Sequence, residues 1–290
     1  MSQRVSSCIH TRSRTKSLKQ LCRLTFAFLL LGKISAMTNT HLAVIPFARL
    51  ASPSARATRG YDSIIPSYSL FEPRLKGGAQ PPEVWYAENA QPSYACADTQ
   101  RIGPQGDGGK WICNPRRLRA RCLVYSIGSY NDYGFEEAIL KDITKDCEVH
   151  VFDHTVEDPS PPPNVYFHPW GLAAVDDGPM KSLRDIVDLL GHNGRTINIF
   201  KIDCEGCEWR TFRSWFEAGV LFEQILIEVH AGTTRPAENP VAKQFMQTMF
   251  NNDMMIFHKE PNELTAGDRF CVEYSFTRVP KRPQAGDWFE

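Results

Sequence analysis

From Arg121 onward, short apolar runs alternate with stretches of helical periodicity, and such a chain buries its strands most readily as a parallel sheet covered by helices. The runs are CLVYSIG (122–128), EVHVFD (148–153), TINIFKID (196–203) and QILIEVH (224–230), with NVYFHPWGLA as a further extended piece. Between them, FEEAILKDI predicts an amphipathic helix. In MKSLRDIVDLLG, Leu183, Ile186, Val187 and Leu190 share one helical face, which Gly191 ends. WRTFRSWFEAG predicts another helix, and so does the stretch 241–250. MMIFHKE and FCVEYSFTRV predict an antiparallel closing pair. The expected class is α/β, a doubly wound, mostly parallel sheet with a C-terminal antiparallel strand pair, occupying residues 96–290.

Two segments precede this body. Residues 1–60 hold ten basic side chains and no acid, since the first acid is Asp62. Six of those charges precede LTFAFLLL (24–31), and Ser35 and Ala36 follow, a pattern shared by cleaved secretory signals and short signal-anchors. The Ser, Thr and Arg content also matches an organellar transit peptide. A leader that packs poorly and delivers the body to the secretory pathway, lumenal or membrane-anchored, is expected, with an organelle as the alternative. In residues 61–95 the prolines lie too close for a helix or a central strand, which predicts a linker or a wrapping arm.

The charges total 33 basic and 33 acidic, so the chain after residue 60 carries 23 basic against 33 acidic, a balance near −10. Binding to nucleic acid through phosphate neutralisation is excluded for such a body, and a small or neutral partner fits it better. Of the nine cysteines, Cys8 and Cys22 lie in the leader. Cys96 and Cys113 flank a glycine-rich turn and are the pair to bridge in an oxidising lumen; elsewhere both are buried thiols.

Open parallel sheets bind ligands beyond the carboxyl ends of their strands. Here those ends carry Gly128 with Ser129, Asp153, Asp203 with Glu205, and Glu228 with His230. Any one acid has helix capping as an alternative role. The turn SIGSYNDYGF lacks a full G-x-G-x-x-G, which argues against a nicotinamide oxidoreductase. Asp153 follows Gly128 by 25 residues, a position from which a carboxylate can accept both ribose hydroxyls. A nucleoside cofactor without pyrophosphate, S-adenosyl-L-methionine, suits that arrangement.

The runs DGGKWIC, CLVYSIGSYNDYGFEEAIL, EVHVFDHT, HPWGLA, KIDCEGCEW, ILIEVH and CVEYSF resemble, in order, the methyltransferase-like branch of the FkbM-like methyltransferases, over about residues 95–279. The resemblance implies a class I Rossmann-like fold, S-adenosylmethionine as methyl donor, O-methyl transfer to a small-molecule or glycan hydroxyl, and a signal or membrane anchor ahead of the body. It implies further that Gly128 and Ser129 contact the methionine moiety, that Glu136 is the usual glutamate of the branch, and that Asp153 binds the ribose. Gly171 and Leu172 would lie beside adenine, and Asp203 and Glu205 nearest the sulfonium. Tyr130 or Asn131 replaces the usual second glycine of the first motif.

A hydroxyl acceptor must lose its proton, and Asp203 or Glu205 is the expected base, with His230 as competitor. Alternatively Asp203, Glu205, Glu228 and His230 would hold a divalent ion, although none is required. Cys204 and Cys207 form a C-x-x-C whose spacer acid, Glu205, opposes thiol activation, so buried thiols are expected there. Trp111, Trp209 and Trp215 are expected as core or helix-packing aromatics, with Trp170, between Pro169 and Gly171, the exception to test as part of a cage for a cationic substrate; His154 and His168 are expected on the surface or in loops, and FHKEPNEL is a hairpin turn or part of the acceptor side. The competing class is a catalytically silent module that kept the fold.

Overall fold

The computed structural model describes residues 82–118, 121–231, 241–262 and 270–279, all within one compact unit. Residues 1–81, on which the expected leader with Cys8 and Cys22 and the first part of the expected linker fall, lie outside the described residues. No helix among the described residues is long and apolar enough to cross a membrane.

A seven-stranded sheet forms the centre. Along the chain its strands are β3 (Leu123–Ile127), β4 (Glu148–Phe152), β5 (Val165–His168), β8 (Thr196–Ile202), β9 (Leu221–Val229), β10 (Met254–Pro261) and β11 (Val272–Arg278). Across the sheet the order is β5-β4-β3-β8-β9-β11-β10, with β11 antiparallel to both neighbours and the five strands from β5 to β9 parallel. All five residues of β3 are buried, because the central strand of a parallel sheet is covered on both faces. Tyr125 and Ile127 face one apolar core with Phe152, Phe200 and Trp215, while Val124 faces a second with Val149, Ile199 and Phe135. The strand order therefore reverses between β3 and β8, where such sheets open a crevice. The doubly wound class and its closing antiparallel pair are as expected.

Helix α3 (Leu183–Leu190) runs as its periodicity predicts, capped by the Ser182 hydroxyl on the Asp185 N–H and ended by Gly191 at φ 70. The other helices are more broken. FEEAILKDI is α-helical only over α2 (Gly134–Ala138) and then widens into a π-turn, Ile139–Ile143. WRTFRSWFEAG splits into α4 (Glu208–Thr211) and a 3-10 segment, Phe212–Glu217; the Thr211 hydroxyl bonds back to the Cys207 carbonyl and also receives the Trp215 indole N–H. Helix α5 spans Val241–Asn251.

The proline spacing misleads over part of 61–95, because α1 (Pro82–Glu88) is a helix there. Proline at a first helical position gives up no hydrogen bond. Trp85 and Tyr86 are fully buried in the first core, and the Ser93 and Tyr94 amides bond the Ile256 carbonyl, which covers the β10 edge.

The glycine-rich turn joins β1 (Thr99–Ile102) to β2 (Lys110–Cys113) in an antiparallel hairpin. Of the two states open to Cys96 and Cys113, the disulfide is the one formed, and it closes the base of the hairpin, while the Gln224 side chain anchors the Cys113 backbone from β9. A second disulfide, Cys122–Cys147, joins the starts of β3 and β4; sequence reading did not anticipate it.

Candidate active site

At the strand-order reversal, β3 runs into Gly128 and β8 into Asp203, whose amide bonds the Ile127 carbonyl. Gly128 has φ 81, and a Cβ there would overlap the Asp203 carbonyl oxygen, so only glycine fits this close approach. Lys201 donates to the Gly128 carbonyl at 3.2 Å. Tyr130 (φ 47) and Asn131 (φ 63), one or other of which stands where the resemblance expects a second glycine, both adopt the left-handed backbone. Asp153 helps hold this turn. Its Oδ2 accepts the Ser129 and Tyr130 amides at 2.9 and 2.8 Å, and its Oδ1 accepts the Thr155 amide and hydroxyl at 2.9 and 2.6 Å. Burial would raise the Asp153 pKa, but these hydrogen bonds hold it below the usual carboxylate value. A carboxylate accepts about four hydrogen bonds, so these protein donors take up most of the capacity of Asp153.

Glu136, in the first turn of α2, is 1% exposed, and neither carboxylate oxygen has a hydrogen-bond partner among the described residues. A buried carboxylate so placed calls for a donor from elsewhere. Gly171 and Leu172 form β6 (Gly171–Leu172), paired with β7 (Met180–Lys181); both are buried, and a Cβ on Gly171 would press on His154 and Met180. Trp170 stacks on His168 at 4.8 Å, and His168 itself is half-buried at the end of β5, which corrects its expected surface placement.

The acids of β8 and β9 meet residues that the strand-end pattern omits. Register places Glu228 opposite Glu273 of β11, and Lys110 of β2, 2% exposed, reaches both Glu273 and Asp203, the latter at 3.6 Å. Burial lowers the affinity of Lys110 for its proton, but Glu273, Asp203 and Glu228 reverse that and keep it a cation. Burial, then Asp203 and Glu273, push Glu228 up to about 8. Burial also opposes ionisation of Asp203, but Lys110, Lys201 and His230, with a hydrogen bond from Glu228, hold its pKa below the usual value. Two adjacent carboxyl groups thus divide, one ionised and one carrying a proton.

His230 answers to a different partner. Its Nδ1 lies 2.9 Å from Glu208 Oε1, which also accepts the His230 amide, while its Nε2 lies 3.4 Å from Glu205 Oε2. Burial would lower its pKa, yet Glu208 dominates and raises it to about 10, so His230 is an imidazolium at neutral pH and is poorly suited to be the base. Asp203, Glu228 and His230 present ligand atoms within 4.8 Å of one another.

The protonated state of Glu228 predicts a pH effect. Its pKa is raised on folding, so its contribution to stability is complete below about 4.5 and is lost as pH climbs through about 8. Urea midpoints measured at pH 6 and pH 9 should differ less in Glu228→Gln than in the parent protein. An unchanged difference would show that Glu228 ionises freely.

The expectation of buried thiols at C-x-x-C is corrected: Cys204 and Cys207 form a disulfide, with Cα atoms 5.5 Å apart. Glu205 (φ 55) and Gly206 (φ 98) turn the chain tightly enough to bring the sulfurs together. Lys110, Glu273 and Glu208 are the residues that strand-end reasoning missed; two of the family runs, DGGKWIC and KIDCEGCEW, contain Lys110 and Glu208 without distinguishing them.

Solved structures of similar fold include a putative ribosomal RNA methyltransferase from Plasmodium falciparum, 13% identical, covering 57% of this chain and 90% of that one with a TM-score of 0.37. Another is fibrillarin from Aeropyrum pernix in complex with S-adenosyl-L-methionine, 12% identical, covering 64% and 85% with a TM-score of 0.33. A third is the Burkholderia thailandensis 1,6-didemethyltoxoflavin-N1-methyltransferase, 10% identical, covering 66% and 100% with a TM-score of 0.31. No curated protein matches the sequence. The family model Methyltransf_22, described as a methyltransferase domain, matches residues 61–278, through both the Gly128 turn and the acid cluster, and the chain belongs to that methyltransferase family.

Proposed function

We propose that this methyltransferase moves a methyl group from S-adenosylmethionine to a hydroxyl of a small molecule or glycan, as an FkbM-like enzyme of an oxidising compartment. The observation that carries the O-methyl reading is the Asp203–Glu228 pair beside the Gly128 turn, one group ionised and the other protonated, where a hydroxyl proton could be received. Bound S-adenosylmethionine supplies a methyl already attached to its leaving group, so the protein's tasks are alignment and proton removal. Fit to that cofactor is supported by the glycine-only approach at Gly128 and by the buried Glu136 carboxylate, which would accept from a ligand donor. Gly171 and Leu172 would border the adenine, and Ser129 the methionine moiety. Asp203 takes the acceptor proton, Lys110 holds Asp203 in place, and Glu205 lies at the mouth. Three disulfides among the described residues support an oxidising compartment, such as the secretory lumen or a membrane-anchored site facing it. The acidic balance of the body supports an acceptor that is not a polyanion.

One observation favours the second reading, a module that kept the fold without catalysis: protein donors fill the Asp153 carboxylate. Calorimetry of the full chain with S-adenosylmethionine and S-adenosylhomocysteine separates the two. Binding that is lost in Asp153→Ala, with the circular dichroism spectrum retained, is the expected result. No heat from the parent protein would instead support the silent module.

A further inference from the structure

The crevice lies at the carboxyl ends of the strands. At the opposite end of the same sheet, about 16 Å away along β4 by strand rise, a second set of side chains converges. Glu148 opens β4, His150 follows on the same face, and His192 lies between α3 and β8. The Nε2 atoms of both histidines lie 3.0 Å from one oxygen, Glu148 Oε1. The second ring nitrogens are engaged as well: His192 Nδ1 lies 2.7 Å from the Tyr125 hydroxyl, and His150 Nδ1 lies 2.9 Å from His168 Nε2. Arg195 holds the other Glu148 oxygen at 2.7 Å. Both histidines are 5% exposed, whereas the Glu148 side chain is 34% exposed. It opens into a pocket of about 630 Å³, also lined by Arg195, Asn164 and Tyr166.

Two imidazole nitrogens and one carboxylate oxygen within 4.8 Å of one another, each ring oriented by an outer partner and one side open to solvent, form the donor set of an open zinc site. Imidazole donors select zinc over magnesium or calcium. We propose that Glu148, His150 and His192 bind one zinc-type divalent cation, with water from the pocket completing its shell, and that the ion clamps the α3–β8 connection onto β4. The proposal is independent of the methyl-transfer reading, because no residue is shared with the crevice.

The test uses the oxidised full chain stripped of metal, with zinc measured by calorimetry and cobalt(II) as a spectroscopic probe. One tightly bound ion, visible cobalt bands of a four-coordinate nitrogen and oxygen site, and affinity weakened by roughly 100-fold or more in both His192→Ala and Glu148→Gln are expected. Asp203→Asn should leave that affinity unchanged. X-ray absorption of the zinc-loaded parent protein tests the coordination without any variant, and two imidazoles in the first shell are expected. No binding at 100-fold molar excess of zinc would overturn the proposal and leave a hydrogen-bonded network only. Binding lost in Asp203→Asn but kept in His192→Ala and Glu148→Gln would also overturn it, by placing the ion in the crevice.

Discussion

Replacing Asp203 by asparagine is expected to lower kcat by roughly 10²–10⁴-fold, the range that positioned proton transfer contributes, while changing the affinity for S-adenosylmethionine by no more than a few-fold. The amide keeps the shape and can still accept from Glu228, so the lost property is basicity. Lys110 retains Glu273 as a partner, which limits structural damage. The pair titrates as a unit, and its second proton leaves near pH 8. The state with Asp203 ionised and Glu228 protonated therefore persists through neutral pH, so the rate of the parent enzyme should stay level there and change as pH climbs through about 8. Single-turnover rates with a methyl acceptor, set beside calorimetric cofactor binding, give the measurement. A kcat close to that of the parent enzyme would remove Asp203 from proton transfer. Lost cofactor affinity would instead assign it to holding the donor.

The second large effect is expected at Gly128. Alanine there meets two penalties together, a left-handed backbone at φ 81 and a methyl driven into the Asp203 carbonyl. Strain and overpacking each cost about 1–3 kcal/mol, so Gly128→Ala should lose about 2–6 kcal/mol and separate the ends of β3 and β8. Urea denaturation gives the stability change, and calorimetry should show cofactor binding lost even where the variant folds. A variant with parental stability and affinity would mean that the two strand ends do not need to touch.

Much of the sheet was legible because its signals are local. The apolar runs of β3, β4, β8 and β9 end in residues that name the crevice, and the 3,4-spaced face of α3 with Gly191 behind it describes that helix nearly to the residue. Helix α1 was hidden by a rule about proline that does not apply at a helix start, and the burial of Trp85 outweighed the composition around it. The first motif departs from glycine in sequence but not in backbone conformation, since Tyr130 and Asn131 take up the left-handed turn that Asp153 then ties. The candidate site was legible only in part. Lys110 and Glu273 meet across 163 residues of sequence, through a hairpin and an antiparallel strand whose placement no periodicity encodes. His230 was read from its unperturbed chemistry, but Glu208 decides its charge. Glu228, named only as a metal ligand or strand-end acid, became the proton-bearing member of the pair because burial and the neighbouring Asp203, with Glu273 opposite it on β11, disfavour its charged form.

The ring closed by Cys204 and Cys207 encloses Glu205 and follows Asp203 directly. Two electrons from an ambient dithiol would cut it open and release the bend that carries the mouth of the crevice. The shape of the loop that follows Asp203 is thus conditional on the thiol economy of its surroundings, and material made in a reducing cytoplasm or stored with reductant is a different molecule at that loop.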